Sequence, residues 1–119
     1  MPAVPEDIID WVDGVTNFES WTHVDDDTGL AIPLKQGSTA DKALMVVSAP
    51  TGRELYRAHT DDADSEITVN ADAGTISIEA NFQAGGPRVW PPGSRFSVDR
   101  IRADDVKIPF LRGTARIGK

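Results

Sequence analysis

The residues able to do chemistry are few. His23 and His59 are the sole histidines and there is no cysteine, so no thiolate nucleophile, disulfide or Cys/His zinc set can be assembled. Ser20, His23 and Asp25 lie close together in the chain, and a hydrolytic triad needs a hydroxyl beside a histidine that a carboxylate orients. Alternation along a strand, however, puts Ser20 and His23 on opposite faces. Neither a Gly-x-Ser-x-Gly elbow nor a phosphate-cradling glycine loop occurs, and both histidines read as surface or loop-edge residues. Two acidic clusters, Asp25-Asp26-Asp27-Thr28-Gly29 and Asp61-Asp62-Ala63-Asp64-Ser65-Glu66, could offer oxygens to Ca²⁺, which takes roughly six to eight. Neither follows the Asp-x-Asp-x-Asp-Gly spacing closed by a glutamate, so both read as solvated turns. The expectation is a protein without enzymatic activity, with no catalytic, cofactor-binding or metal-ligating residue.

The elements around these residues are short strands. The 10 glycines and 8 prolines punctuate β-type runs at Val15–Trp21, Leu30–Leu34, Lys42–Ser48, Glu54–Ala58, Glu66–Asn70, Thr75–Ala80, Ser94–Arg102, Val106–Phe110 and Thr114–Ile117. The clearest hairpin is Ile67-Thr68-Val69, a glycine-bearing loop, then Thr75-Ile76-Ser77-Ile78. Alternation there predicts Ile67, Val69, Ile76 and Ile78 inward, with Thr75 and Ser77 outward. Leu44-Met45-Val46-Val47 is apolar on both faces, as a central strand should be. Residues 5–12, with early acids and apolar residues at 8, 9, 11 and 12, could form a short helix before Gly14. The stretch Asn81–Trp90 could hold at most a turn before Gly85-Gly86-Pro87 ends it. Without a βαβ rhythm or an internal repeat, the pattern predicts an all-β, antiparallel β-sandwich of about 7–9 short strands.

A length of 119 residues suits one domain. No apolar run approaches the roughly 20 residues that span a bilayer, and the acidic start lacks the features of a signal peptide, so membrane insertion and Sec export are not expected. The net charge of −7 is uneven. Residues 1–87 carry 16 acidic and 4 basic groups, or −12, whereas residues 88–119 carry 3 and 8, or +5. Either the basic C-terminal strands pair with acidic neighbours inside the fold, or the molecule presents a polar surface able to stack copies or partners. An acidic domain is not expected to bind nucleic acid. Trp21 reads as core, while Trp11 and Trp90 are open between core and interface.

From about Trp21 to Ile117 the chain resembles the small immunoglobulin-like domains of tailed-bacteriophage virion proteins. The resemblance runs through Asp26-Asp27-Thr28-Gly29-Leu30-Ala31-Ile32-Pro33-Leu34, then Gly37 to Val47, then Pro50-Thr51-Gly52-Arg53-Glu54-Leu55-Tyr56. The hairpin at 67–78 is its best match, followed by Pro91-Pro92-Gly93 and the closing strand Phe110-Leu111-Arg112-Gly113-Thr114-Ala115-Arg116-Ile117. In this chain Arg100 and Arg102 interrupt an aromatic strand that usually continues apolar. The resemblance implies an immunoglobulin-like sandwich at 21–119, preceded by an N-terminal arm at 1–20. It also implies a structural component of a phage particle: tail, tail tip or fibre anchor first, capsid decoration second. The partners would be other virion proteins and copies of the chain itself as a homo-oligomer, assembled into the virion in the host cytoplasm. Assembly contacts are expected at Ile8, Ile9, Trp11, Val12, Trp90, Arg100 and Arg102. A sandwich that holds carbohydrate or another ligand through an exposed aromatic such as Trp90 is the alternative.

Overall fold

A computed structural model describes residues 6–83 and 88–118. Among them there is no helix, and the strands are β1 (Glu6–Val12), β2 (Thr16–Thr22), β3 (Lys35–Gln36), β4 (Thr39–Ala40), β5 (Lys42–Ser48), β6 (Glu54–His59), β7 (Ile67–Asn70), β8 (Thr75–Asn81), β9 (Arg95–Ile101) and β10 (Lys107–Gly118). One sheet has the order β1-β10-β9-β5-β6, the second β2-β8-β7, and β3 and β4 form a small hairpin. That is immunoglobulin-like connectivity: β2, β8 and β7 take the places of strands B, E and D, and β10, β9, β5 and β6 those of G, F, C and C′. The expected immunoglobulin-like sandwich is therefore present. It differs in one respect from a purely antiparallel sandwich, because β1 runs parallel to β10.

Period-two patterning explains most of the elements. Ile76, Ile78 and Ile67 are 0–2% exposed, while Thr75, Ser77 and Thr68 face out, and two of these hydroxyls meet β2 across the sheet, Ser77 with Ser20 at 3.2 Å and Thr75 with Thr22 at 3.0 Å. Substituting Ile76 by alanine is expected to cost roughly 2–5 kcal/mol, and Ser77 by alanine no more than about 0.5 kcal/mol. Urea midpoints decide this, and equal effects would contradict the register. In β5, Ala43, Met45 and Val47 point into the core and Leu44 is buried on the other side. The runs at 106–110 and 114–117 are one strand, β10, with a bulge between Pro109 and Leu111. The extra residue turns Phe110 and Leu111 toward covered positions in succession.

Two expectations are corrected. Residues 30–34 are not a strand: only the isolated bridge Val24–Ala31 forms there, because this stretch packs across the β7–β8 turn. The N-terminal arm is also not separate from the sandwich, and its residues 6–12 are neither arm nor helix. They are β1, in register with β10 from Glu6–Arg112 to Val12–Gly118, while β2 pairs with β8 from Thr16 onward. Apolar residues at 8, 9, 11 and 12 suit either period, and the β10 ladder with the pocket for Trp11 settles it as a strand. Residues 1–5 and residues 84–87, within the stretch where a turn is expected, lie outside the described residues.

Side chains close the seam where β1 and β2 pass from one sheet to the other. Trp21 Nε1 donates to Asp7 Oδ2 at 3.0 Å and Trp11 Nε1 to Glu19 Oε1 at 3.3 Å. The Asn17 amide both accepts from Val12 N and donates to Val12 O, each at 2.9 Å. Gly113 lets β1 come this close. A Cβ there would press on the Asp7 carbonyl oxygen, 2.7 Å from its carbon and 2.8 Å from Phe96 Cε1. Between the sheets Trp11 meets Tyr56, Phe82 and Trp90 at 5.6–5.8 Å between ring centroids. Trp21 stacks on Phe96 at 6.1 Å, so an aromatic pair joins β2 to β9, the strands that a disulfide links in antibody domains.

Candidate interaction surfaces

The seven residues expected at assembly contacts do not come together. Ile9, Trp11 and Trp90 are 0%, 2% and 8% exposed, and all three belong to the core cluster, so as expected contacts they are corrected. Trp90 cannot serve as the exposed aromatic of a sugar site either, because it is packed against Trp11 and Phe82. Arg100 sits 3.8 Å from the buried carboxylate of Asp41, and Arg102 is engaged with Asp104 at 3.1 Å. Of the seven, Ile8 and Val12 are the most exposed, on the same outer face of β1 with Asp10 between them.

The charge asymmetry is largely spent inside the fold. Five of the eight basic residues after position 87 contact acids of the same chain: Arg88–Asp13, Arg100–Asp41, Arg102–Asp104, Arg112–Asp99 and Arg116–Asp10. Two of them, Arg112–Asp99 and Arg116–Asp10, brace β10 against β9 and β1. Asp13 is held below the usual carboxylate range, first by the Arg88 backbone N–H and also by its guanidinium. The acidic loops are likewise occupied. Asp25 Oδ1 accepts from Asp27 N and Thr28 N at 2.8 and 3.0 Å, and those bonds hold its carboxyl below the ordinary value. Lys42 lowers Asp61 through a 2.9 Å hydrogen bond, and Lys35 does the same for Asp72. Among the described residues no group of three His, Cys, Asp or Glu is placed to hold a metal ion. Ser20 lies on the outer face of β2, where its hydroxyl meets Ser77. The His23 ring instead packs edge-on to Phe110, so the two do not form a nucleophile–base pair.

A shallow open hollow of about 710 Å³ lies on the outer face of β2-β8-β7. Phe18 stands in it, 69% exposed, directly opposite Glu79 in the ladder. Ser20, Ser77 and Thr68 pave the floor, and Asp64, Glu66 and Glu19 border it with no basic side chain. Two of these acids are already committed. Glu66 accepts from Tyr56 OH at 2.7 Å and from Asn81 N at 2.6 Å, and Glu19 holds Trp11. Burial and the Glu66 carboxylate push the Tyr56 phenol far above its ordinary value, so it stays protonated. The hollow offers an apolar ring and hydrogen-bonding groups, which suit binding. Phe18 lies in the same strand-like run as Trp21, which the sequence assigns to the core. Their three-residue spacing, which puts them on opposite faces of a strand, is the signal that identifies Phe18 as exposed.

No protein-family model matches the chain, and none of the curated proteins matches it. Among solved structures, Drosophila OTK, extracellular domains 3-5, is similar over 96% of this chain and 32% of that one, with 12% identity and a TM-score of 0.35. A likeness at that level carries no argument about this chain.

Proposed function

We propose that this chain is a non-enzymatic assembly domain of a tailed-bacteriophage virion, at the tail, tail tip or fibre anchor, joining other virion proteins and copies of itself. One observation carries the assembly role: ionisable side chains are largely spent on bracing the fold, while large apolar side chains are left to solvent. Phe18 and Leu30 are each 69% exposed, Ile8 60% and Val89 78%. Exposed apolar surface serves association when a partner covers it. The phage setting rests on the ordered series of turns and strands that resembles small virion domains.

The test has two parts. Mass spectrometry of purified particles made by the encoding genome is expected to find the chain, and native mass measurement of the full chain to find an oligomer. Particles that lack the chain overturn the virion reading, and a monomer at all concentrations overturns self-association. The acidic, hydroxyl-lined hollow around Phe18 favours a second reading, a carbohydrate-binding module. A glycan screen with binding abolished by Phe18→Ala supports that reading over the first.

A further inference from the structure

The segment between His23 and Leu34 lies across the β7–β8 turn, and His23 ties it down from both sides. Its backbone N–H donates to Gly74 O at 2.8 Å, and its carbonyl accepts from Ile32 N at 2.7 Å. Farther along, Leu34 N donates to Ala71 O at 2.8 Å and the Leu34 side chain is fully buried. The approach is close enough that a Cβ on Gly74 would collide with the Ile32 carbonyl. Between these two anchors the segment is mostly exposed, apart from half-buried Asp25 and Ile32, and it is pinned internally by Asp25 N to Leu30 O at 2.9 Å.

The His23 ring is packed for the neutral state. It stands edge-on to Phe110 of β10 at 5.9 Å, and Nδ1 is buried without a hydrogen-bond partner among the described residues. The charged groups around it come from every neighbouring element. Arg100 of β9 opposes its protonation and Asp26 of the segment favours it. Asp41, before β5, faces Arg100 at 3.8 Å, and Asp72 of the β7–β8 turn is taken by Lys35. A proton on this imidazole would place a second cation near Arg100 and leave a ring nitrogen buried without an acceptor.

We propose that His23 is a pH-sensitive latch: neutral, it holds the 24–33 segment closed over the β7–β8 turn, and protonated, it leaves its packing and releases that segment. The sign follows from linkage. Burial, with Arg100 as a lesser cause, holds the folded-state pKa below the ordinary histidine value of 6.5. The latch is therefore fully effective above 6.5 and weakens as pH falls from 6.5 through the folded-state value.

Hydrogen exchange of the full chain, corrected for the intrinsic rate, tests this at pH 7 and pH 5. Residues 24–34 are expected to lose protection severalfold at pH 5, while β5 and β9 stay protected. His23→Phe keeps a ring against Phe110 and removes the proton site, so it should abolish the acid step, whereas His59→Gln should retain it. An acid step that persists in His23→Phe, or that disappears in His59→Gln, overturns the proposal. If His23→Phe does not fold, the NMR titration of the His23 ring in the unmodified chain decides instead. A midpoint below 6.5 with loop resonances moving in the same step supports the latch, and a midpoint at or above 6.5 refutes it.

Discussion

A chain truncated to begin at Val15 is expected to be unfolded, and Trp11→Ala alone to lose about 3–5 kcal/mol of stability. Trp11 is 2% exposed at the centre of the aromatic cluster, touching Tyr56, Phe82 and Trp90. Its indole N–H also ties the first sheet to Glu19 of the second. Removing the whole strand also deletes the fully buried Ile9, strips the ladder partner from Arg112–Gly118 and takes away Asp7, the acceptor of the Trp21 indole N–H. A domain of this size has about 5–15 kcal/mol in hand, so losses of that kind consume most of it. Far-ultraviolet circular dichroism of the truncated chain and urea unfolding of Trp11→Ala provide the measurements. A truncated chain that keeps its β spectrum and a cooperative melt would mean that residues 1–14 are a dispensable arm after all.

That result also marks where sequence reading works on this chain. Strands with strict alternation, such as Ile67–Asn70 and Thr75–Asn81, declare the strand and the buried face together, because one face packs and the other meets water. The β5 strand was legible from Leu44 to Val47 by its apolar character on both faces. The stretch Glu6–Val12 was not, since two adjacent apolar pairs fit a helix as well as a strand. The ladder that decides it is with residues 112–118, at the opposite end of the chain. Long-range pairing of that kind leaves no local signature. The surface was harder still: Ile9, Trp11 and Trp90 drew attention by residue type, yet residue type alone does not separate core from interface. Phe18, the aromatic that does reach solvent, was recoverable only from its strand phase relative to Trp21. The ionic contacts between the basic C-terminal strands and acids as distant as Asp10 and Asp13 followed from composition as a possibility, and only the fold assigns the partners.

The second large effect is expected at Arg100, and it should be asymmetric. The Asp41 side chain is 2% exposed, its Oδ2 lies 3.8 Å from the Arg100 guanidinium, and its Oδ1 meets no hydrogen-bond donor among the described residues. Arg100→Ala removes the cation this carboxylate faces and leaves a charge buried in low dielectric, a change that typically costs about 3–5 kcal/mol. Asp41→Asn removes the other partner, but the Arg100 side chain is 22% exposed and its long stem can carry the guanidinium to water, so that loss should be smaller. Asp41→Asn added to Arg100→Ala should recover much of the stability, since no buried charge then remains unpaired. Urea midpoints of the two single variants and the double variant at pH 7 measure all three terms. The same cation opposes protonation of His23, so Arg100→Ala should also raise the His23 titration midpoint. Equal costs for the two single variants, or a double variant no more stable than Arg100→Ala, would show that Asp41 is not a buried charge that depends on Arg100.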